Sequence, residues 1–270
     1  MSPRESPRRV RDADVRAVQD RLSLRDWLVV ETVANVRLAT GRQLDQLCFA
    51  NLAGRSQAVV RGRVIHRLIR WRVLRSLDRF IGGANGGSTE LIVGLDSIGA
   101  ILAQQRAFAA GRSSRQVGLP GERFVRHTLA VTQVLTDLCA HAAGTSLRVE
   151  TFEIEPLSWW PDGLGGQLKP DAYVALIGDQ LRNHWWIEVD RATESLPTLS
   201  RKLRRYVDFA RRGQFGPGRV VPRVLVSVIS DRRLEAVQRL AAGLPDPAPE
   251  QLVIVRDRDA AHALLGGLRE

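Results

Sequence analysis

Residues 169–191 read KPDAYVALIGDQLRNHWWIEVDR in a chain of 270 residues. This stretch holds two short apolar runs, residues 172–177 and 184–189, separated by turn-forming residues. Runs of this length and composition predict β-strands rather than helices. We expect the two runs to pair as adjacent strands of one sheet.

Three carboxylates lie on these strands. Side chains alternate faces along a strand, so Glu188 and Asp190 point to the same side, and pairing brings Asp171 alongside them. Three hard oxygen donors in one pocket suit Mg²⁺ or Mn²⁺. The sequence therefore predicts a metal site formed by these three side chains. The alternative is that they cap strand ends and pair with Arg191 or Arg201.

The chain contains only two lysines, Lys169 and Lys202. Lys202 lies on a predicted helix, residues 196–212, that directly follows the strand of Glu188. A bound metal ion offsets charge on a scissile phosphate, and a nearby lysine can orient the attacking water. The three carboxylates and Lys202 are therefore the predicted catalytic residues of a nuclease. The alternative for Lys202 is a solvated or phosphate-contacting helix face.

The rest of the second half predicts alternating helices and strands. Around the two strands above, we expect helices at residues 122–143, 196–212 and 232–244, and strands at residues 147–155, 224–229 and 252–255. The order αβββαβαβ predicts an α/β (α+β) domain with a mixed central sheet. Glu122, Glu153 and Glu155 are further acids that could approach the carboxylate pocket.

The positive charge of the chain is unevenly distributed. Residues 1–115 carry 20 arginines and 10 acidic residues, a net charge of +10, whereas residues 116–270 carry 20 basic and 19 acidic residues. A basic first half beside a balanced second half predicts contact with a polyanion, with nucleic acid as the leading candidate. A GC-rich genome would explain the preference for arginine over lysine. It would not explain why the positive charge is concentrated in the first half of the chain.

The first half begins with a polar, basic segment, residues 1–22, in which we expect a flexible arm. An amphipathic helix follows a Ser23 cap, and a second helix begins after Thr40. Residues 56–71 then form a third predicted helix with one apolar stripe and a long basic side. A helix of this kind is typical of major-groove recognition, and the alternative is a solvated basic face. The predicted DNA-contacting residues are Arg55, Gln57, Arg61, Arg63, Arg67 and Arg70.

A predicted hairpin follows the basic helix. Residues 73–81 and 90–95 resemble strands joined by a glycine-rich loop, which is the layout of a wing. The sequence therefore predicts a winged helix-turn-helix domain at residues 23–110. Residues 111–121 are predicted to be a linker, and residues 122–270 the α/β domain.

Other features exclude several classes of protein. Cys48 and Cys139 lie in apolar helical patterns of different domains, so we expect buried free thiols. No apolar run approaches the length of a membrane span and the charged start lacks a signal-peptide core, so we expect a cytoplasmic protein with no membrane partner. The histidines lack zinc spacing, and the paired tryptophans, residues 159–160 and 185–186, are expected in the core.

Four segments together resemble the replication-relaxation family of mobile elements. They are KPDAYVAL (169–176), WWIEVDRATES (185–195), RKLRRYVDFA (201–210) and the helix RHTLAVTQVL (126–135). The resemblance covers roughly residues 24–257. It implies an amino-terminal winged helix-turn-helix followed by a domain similar to the PD-(D/E)xK nucleases. Asp190 stands where active members of that nuclease class carry a strand lysine, so activity requires Lys202 to substitute from the helix.

Three functional hypotheses follow. The first is a double-stranded DNA-binding protein of a plasmid or integrative mobile element, acting in replication, mobilisation or transcriptional control. Its further expected partners are a second copy of the chain, in a homodimer, and replication or mobilisation proteins. The second is an Mg²⁺- or Mn²⁺-dependent endonuclease. The third is an interaction protein whose basic patch is incidental, which is favoured only if DNA affinity is negligible at moderate salt.

Overall fold

A computed structural model describes residues 10–77, 91–109, 121–179 and 181–266 of the chain. The chain divides into two compact units, Met1–Val125 and Arg126–Glu270. The division falls within a helix, α6 (Glu122–Ala142), near the start of the predicted second domain. The predicted boundaries of the linker and of the two domains stay predictions.

The first unit contains five helices and three short strands among its described residues. In chain order they are α1 (Asp12–Gln19), α2 (Leu24–Val36), β1 (Leu38–Thr40), α3 (Gly41–Cys48), α4 (Gly54–Arg70), β2 (Leu74–Ser76), β3 (Ile92–Leu95) and α5 (Ser97–Ala109). Two helices begin at capping boxes, which satisfy backbone N–H groups at the first turn. The side chain of Ser23 accepts from the Asp26 N–H at α2, and that of Thr40 accepts from the Gln43 N–H at α3.

The three strands form an antiparallel sheet in the order β1-β3-β2. β1 pairs with β3 through Ala39 and Val93, and β2 pairs with β3 through Arg75 and Gly94. Strand β1 has only three residues, all buried, and the sequence did not predict it. Helices α2, α3 and α4 followed by the paired strands β2 and β3 match the predicted order of three helices and a hairpin. Residues 78–90 of the predicted hairpin lie outside the described residues.

One prediction for the first unit is corrected. Residues 1–22 were expected to be a flexible arm, but Asp12–Gln19 form α1 and its Val15 is 3% exposed. Burial of this apolar side chain stabilises the short helix, which is too short to be stable alone. Residues 1–9 lie outside the described part of the chain, as do residues 111–120 of the predicted linker.

The second unit is built on a five-stranded sheet. After α6, its elements in chain order are β4 (Arg148–Ile154), β5 (Trp160–Pro161), β6 (Gln167–Leu168), β7 (Ala172–Ile177), β8 (Arg182–Asp190), α7 (Leu196–Arg211), β9 (Arg223–Val228), α8 (Asp231–Ala242), α9 (Ala248–Gln251), β10 (Leu252–Arg256) and α10 (Ala260–Gly266). The main sheet has the order β10-β9-β8-β7-β4, and β5 and β6 form a separate small hairpin.

The sheet is mixed, as predicted. The three strands β8, β9 and β10 run parallel to one another. β7 is antiparallel to β8, and β4 is antiparallel to β7. One face of the sheet buries Trp186 against Tyr206 and Phe209 of α7, at ring-centroid distances of 5.5 and 5.3 Å. The α/β (α+β) class with its αβββαβ core is therefore confirmed, and α9, α10 and the β5–β6 hairpin are additions that the sequence pattern missed.

Candidate functional site

Asp171 and Glu188 lie side by side because their strands pair. Ala172 of β7 is opposite Ile187 of β8, and the Asp171 N–H donates to the Ile187 carbonyl at 3.0 Å. Glu188 is 2% exposed, so its carboxylate is almost completely removed from water. The predicted pairing of the two strands thus places two of the three predicted carboxylates together.

Helix α7 supplies two partners for Glu188. The Lys202 ammonium forms an ion pair with the Glu188 carboxylate, and the Tyr206 hydroxyl donates to Glu188 Oε1 at 2.5 Å. Lys202 and Tyr206 are four residues apart, so both side chains lie on the same helix face. The sequence predicted Lys202 near this site but missed Tyr206. The spacing of four residues between them is the sequence feature that could have identified Tyr206.

Asp171 has a second set of partners. Its Oδ2 accepts from the Val189 backbone N–H at 2.7 Å, and its Oδ1 lies 3.2 Å from Nε2 of His127 on α6. His127 was expected to be a structural histidine. The structure instead places its ring against the carboxylate, a contact that strand alternation could not reveal because it comes from a preceding helix.

Burial and neighbouring charges shift the acid–base behaviour of this cluster. Burial raises the pKa of Glu188 to about 7, and the Asp171 charge acts in the same direction against the opposing effect of Lys202. Burial lowers the pKa of Lys202, but the charges of Glu188 and Asp171 outweigh it and raise that pKa above its usual value. Lys202 is therefore held as a cation while Glu188 exchanges a proton near neutral pH.

Asp171 and His127 form a complementary pair. The hydrogen bond with Asp171 raises the pKa of His127 despite partial burial, and the charge of Glu155 adds to this effect. Burial alone would raise the pKa of Asp171, but the bond from His127 and the charge of Lys202 outweigh it and lower that pKa. Asp171 is thus the ionised carboxylate of the site. We define the Asp171 cluster as His127, Asp171, Glu188, Lys202 and Tyr206.

Asp190 does not share this arrangement, which corrects its predicted role as a third metal-binding carboxylate. Its two oxygens accept from the Arg233 guanidinium of α8 at 2.5 and 3.3 Å, and Oδ1 also accepts from the Ala192 N–H. Arg233 in turn donates to the Glu194 carbonyl at 2.9 Å. The negative charge of Asp190 is therefore neutralised by arginine, and the pair fixes the connection from β8 to α7.

The donor set for a metal ion is correspondingly smaller than predicted. Within residues 10–77, 91–109, 121–179 and 181–266, no group of three or more His, Cys, Asp or Glu side chains is placed to hold an ion. Glu155 is close enough to affect His127, whereas Glu153 acts on Tyr173, the residue opposite it in the sheet. Asp171 and Glu188 remain as two adjacent hard oxygen donors.

On α4, three of the six predicted DNA-contacting residues are engaged within the first unit. Gln57 donates to the carbonyls of Asp45 and Phe49, both at 3.1 Å. Arg61 forms an ion pair with Asp45 of α3. Arg67 donates to Asp26 of α2 at 2.5 Å. These contacts fasten α4 to α2 and α3, and a DNA-contacting role for these three side chains stays a prediction.

The other three predicted residues are exposed on one face. Arg55, Arg63 and Arg70 have no side-chain partner among the residues that the structure describes. At 100° per residue they fall within one quarter of the helix circumference, together with Val59 and the exposed His66. The outer face of α4 is therefore basic along its whole length.

The remaining side-chain predictions concern thiols and tryptophans. Cys48 and Cys139 are free thiols; Cys48 is buried as predicted, whereas Cys139 is only half-buried. Burial raises the pKa of Cys48 to about 11. Trp185 and Trp186 are buried, as predicted for core residues. None of the described helices has the length and apolar composition needed to cross a membrane.

The model of the replication-relaxation family matches residues 30–224. No curated protein matches the chain. Among solved structures, the restriction endonuclease FokI bound to DNA aligns with a TM-score of 0.31 and 11% identity, over 90% of this chain and 45% of that one.

Proposed function

Because the chain belongs to the replication-relaxation family, we propose that it binds double-stranded DNA and acts in the replication or mobilisation of a plasmid or integrated mobile element. In this proposal the first unit is a winged helix-turn-helix, and α4 is the helix that enters the major groove. The observation that carries the proposal is the outer face of α4, where Arg55, Arg63 and Arg70 lie together without protein partners in the described part of the chain.

The division of labour along α4 supports this proposal. Arg61 and Arg67 are held by acids of α2 and α3, so the orientation of the helix is fixed from its inner side. The outer arginines are left with free guanidinium groups, which can contact phosphates and the O6 and N7 atoms of guanine. The helix of 17 residues is about 25 Å long, which suits it to lie in a groove.

The proposal is tested by fluorescence anisotropy with a labelled 30-base-pair duplex of random sequence. The full chain is compared with the triple variant Arg55→Ala/Arg63→Ala/Arg70→Ala. Removing three phosphate contacts should reduce the slope of log K against log salt by about 3 and weaken binding at least tenfold. The matched control is Arg232→Ala/Arg239→Ala/Arg258→Ala, which removes the same charge from exposed positions of the second unit. Equal losses in both variants would reject α4 as the DNA-reading helix.

A second candidate function is DNA cleavage, and one observation favours it. Lys202 reaches Glu188 from α7, and its charge also acts on Asp171, so two carboxylates and one lysine converge. This is the combination expected of a nuclease whose catalytic lysine lies on the helix. Asp190, at the position where the strand lysine is expected, is neutralised by Arg233 and leaves the role to Lys202.

The side chains of the cluster suit this chemistry. Asp171 and Glu188 fit Mg²⁺ or Mn²⁺ as hard donors, because Mg²⁺ commonly takes one or two protein carboxylates and completes its coordination with water and phosphate oxygens. Such an ion would offset the negative charge that develops on the scissile phosphate. Lys202 remains protonated and can contact a phosphate oxygen.

Cleavage is tested with supercoiled plasmid in Mg²⁺, in Mn²⁺ and in chelator. Metal-dependent nicking that is lost in Lys202→Met, and retained in Lys169→Met, would support the nuclease. Both variants remove one of the two lysines, so the comparison controls for charge. Intact plasmid in every metal, with DNA binding preserved, would restrict the function to binding.

A further inference from the structure

Helix α7 of the second unit carries a dense row of arginines on its exposed face. A single acidic side chain, Asp208, interrupts this row, and the helix of 16 residues is about 24 Å long. An exposed helix face usually mixes both signs of charge, because paired surface residues at i and i+4 stabilise it. The arginines of the row are Arg201, Arg204, Arg205 and Arg211, with Arg212 directly after the helix.

The row contains arginines of two kinds. Arg205 donates to Asp162 Oδ2 at 3.0 Å and to the Gln167 carbonyl at 2.7 Å, and Arg212 donates to the Asp162 carbonyl at 2.9 Å. These two side chains hold the β5–β6 hairpin beside α7. The other three, which we call the outer arginines of α7, are Arg201, Arg204 and Arg211.

The outer arginines are weakly engaged. Arg201 donates to the neighbouring Thr198 hydroxyl at 3.3 Å, and Arg211 lies 3.7 Å from Asp208 with both side chains exposed. Arg204 is exposed and makes no hydrogen bond or ion pair among the described residues. Exposed contacts of this kind contribute little to stability, so the guanidinium groups are available to a ligand.

An exposed aromatic ring lies just beyond the end of this row. Phe215 is 66% exposed, four residues after the end of α7. The backbone of Phe215 is held by a hydrogen bond, because the Trp160 indole N–H donates to the Phe215 carbonyl at 3.0 Å. The next residue, Gly216, lies against the Trp186 ring so closely that an added Cβ would be 3.1 Å from it. The backbone at Phe215 is therefore held in place, and its ring is accessible to a ligand.

Weakly engaged arginines followed along the chain by an exposed ring match the chemistry of a single-stranded polynucleotide. The arginines suit consecutive phosphates, and an aromatic ring suits an unpaired base, since every base has a face that can stack. A duplex would satisfy the arginines but would leave the ring uncovered, because its bases are already stacked on each other. Leu164, on the hairpin that Arg205 and Arg212 hold, adds a second exposed apolar side chain next to this segment.

We propose that the second unit binds single-stranded nucleic acid along α7, with the outer arginines contacting phosphates and Phe215 stacking on a base. This site is separate from the duplex-binding face proposed on α4 and does not depend on it.

The test is anisotropy of the full chain with labelled 20-nucleotide oligothymidylate, and with oligouridylate to distinguish DNA from RNA. Phe215→Ala should weaken binding by about 5- to 150-fold, the loss of one stacked base, without changing the salt dependence. Phe215→Trp should retain the affinity. Arg201→Ala/Arg204→Ala/Arg211→Ala should reduce the slope of log K against log salt by about 2, as expected for three phosphates of a single strand.

Two controls make the outcomes decisive. Arg232→Ala/Arg239→Ala/Arg258→Ala removes equal charge from the second unit and should retain oligonucleotide binding. Arg55→Ala/Arg63→Ala/Arg70→Ala should lose duplex affinity and retain the oligonucleotide, so failure of the α4 proposal is distinguished from failure of this one. Oligonucleotide binding that is unchanged in both the Phe215 and the α7 arginine variants would overturn the proposal, as would an equal loss in the charge-matched control.

Discussion

The ammonium group of Lys202 pairs with the carboxylate of Glu188, so a helix closes over a strand through one ion pair in the interior of the second unit. Glu188 is almost inaccessible to water, whereas the Lys202 side chain keeps 28% of its exposure. The pair therefore joins a buried charge to one that can still meet a ligand. Its consequences are accessible to experiment because the chain has only one other lysine.

The first prediction concerns the lysine resonances of the chain. Protein labelled with ¹³C and ¹⁵N in lysine alone should give two sets of side-chain signals. The Lys169 ammonium lies 4.4 Å from the centre of the Trp159 ring, so its signals should be shifted by the ring current and should move in Trp159→Leu. The Lys202 signals should move in Glu188→Gln and not in Trp159→Leu. Lys202 signals that do not respond to Glu188→Gln would contradict the ion pair.

The second prediction concerns the pH dependence of stability. Glu188 has a pKa of about 7 in the folded chain and an ordinary value of 4.5, so the folded state binds its proton more tightly. Its contribution to stability is full below pH 4.5 and is lost as the pH rises through about 7. Urea unfolding across this range should show that decline, and Glu188→Gln should make it shallower. A decline of equal steepness in the variant would assign the effect to other groups.

The third prediction separates the inner and outer arginines of α4. Arg67→Ala leaves the carboxylate of Asp26, which is 1% exposed, without its guanidinium partner, and should lower the free energy of unfolding by ~2 kcal/mol. The Ser23 hydroxyl and backbone N–H still donate to Asp26, which limits the loss. Arg63→Ala on the outer face should change stability by less than about 0.5 kcal/mol. Chemical denaturation of the two variants checks this, and equal losses would show that the outer face is also structural.

The fourth prediction concerns the pair formed by Asp190 and Arg233. Removing either partner leaves a buried charge, so Asp190→Ala and Arg233→Ala should each cost about 3 kcal/mol. The double variant should cost less than the sum of the two, with a coupling of about 1–3 kcal/mol. A double-mutant cycle in urea measures this coupling. Additive losses would mean that the two side chains act independently.

Asp190 also shows what the alternation of side chains along a strand can and cannot predict. Alternation along β8 predicted that Glu188 and Asp190 share a face, and both do face the helices that cover this side of the sheet. The pattern could not predict that α8 presents Arg233 to one of them while α7 presents Lys202 to the other. Both helices were predicted, but their relative packing depends on contacts between distant parts of the chain.

In α4 and α6, too, the sequence predicted the helix but not the partners of its polar side chains. Helical periodicity predicted the apolar stripe of α4, but Arg61 and Arg67 border that stripe, and their fate depends on acids of α3 and α2 that the period does not reveal. His127 was missed because a single histidine in an apolar helix is most often structural. Its role becomes apparent only when the sheet brings Asp171 to it.

The hydrogen bond from the Val189 N–H to Asp171 Oδ2 has one more consequence. Val189 belongs to the central strand of the sheet, where most amides exchange with solvent deuterium only when the strand opens. This amide is instead protected by a side chain of the Asp171 cluster, so its exchange rate depends on that carboxylate as well as on the sheet. The Val189 amide, near the end of β8, is therefore a backbone reporter of whatever binds to Asp171.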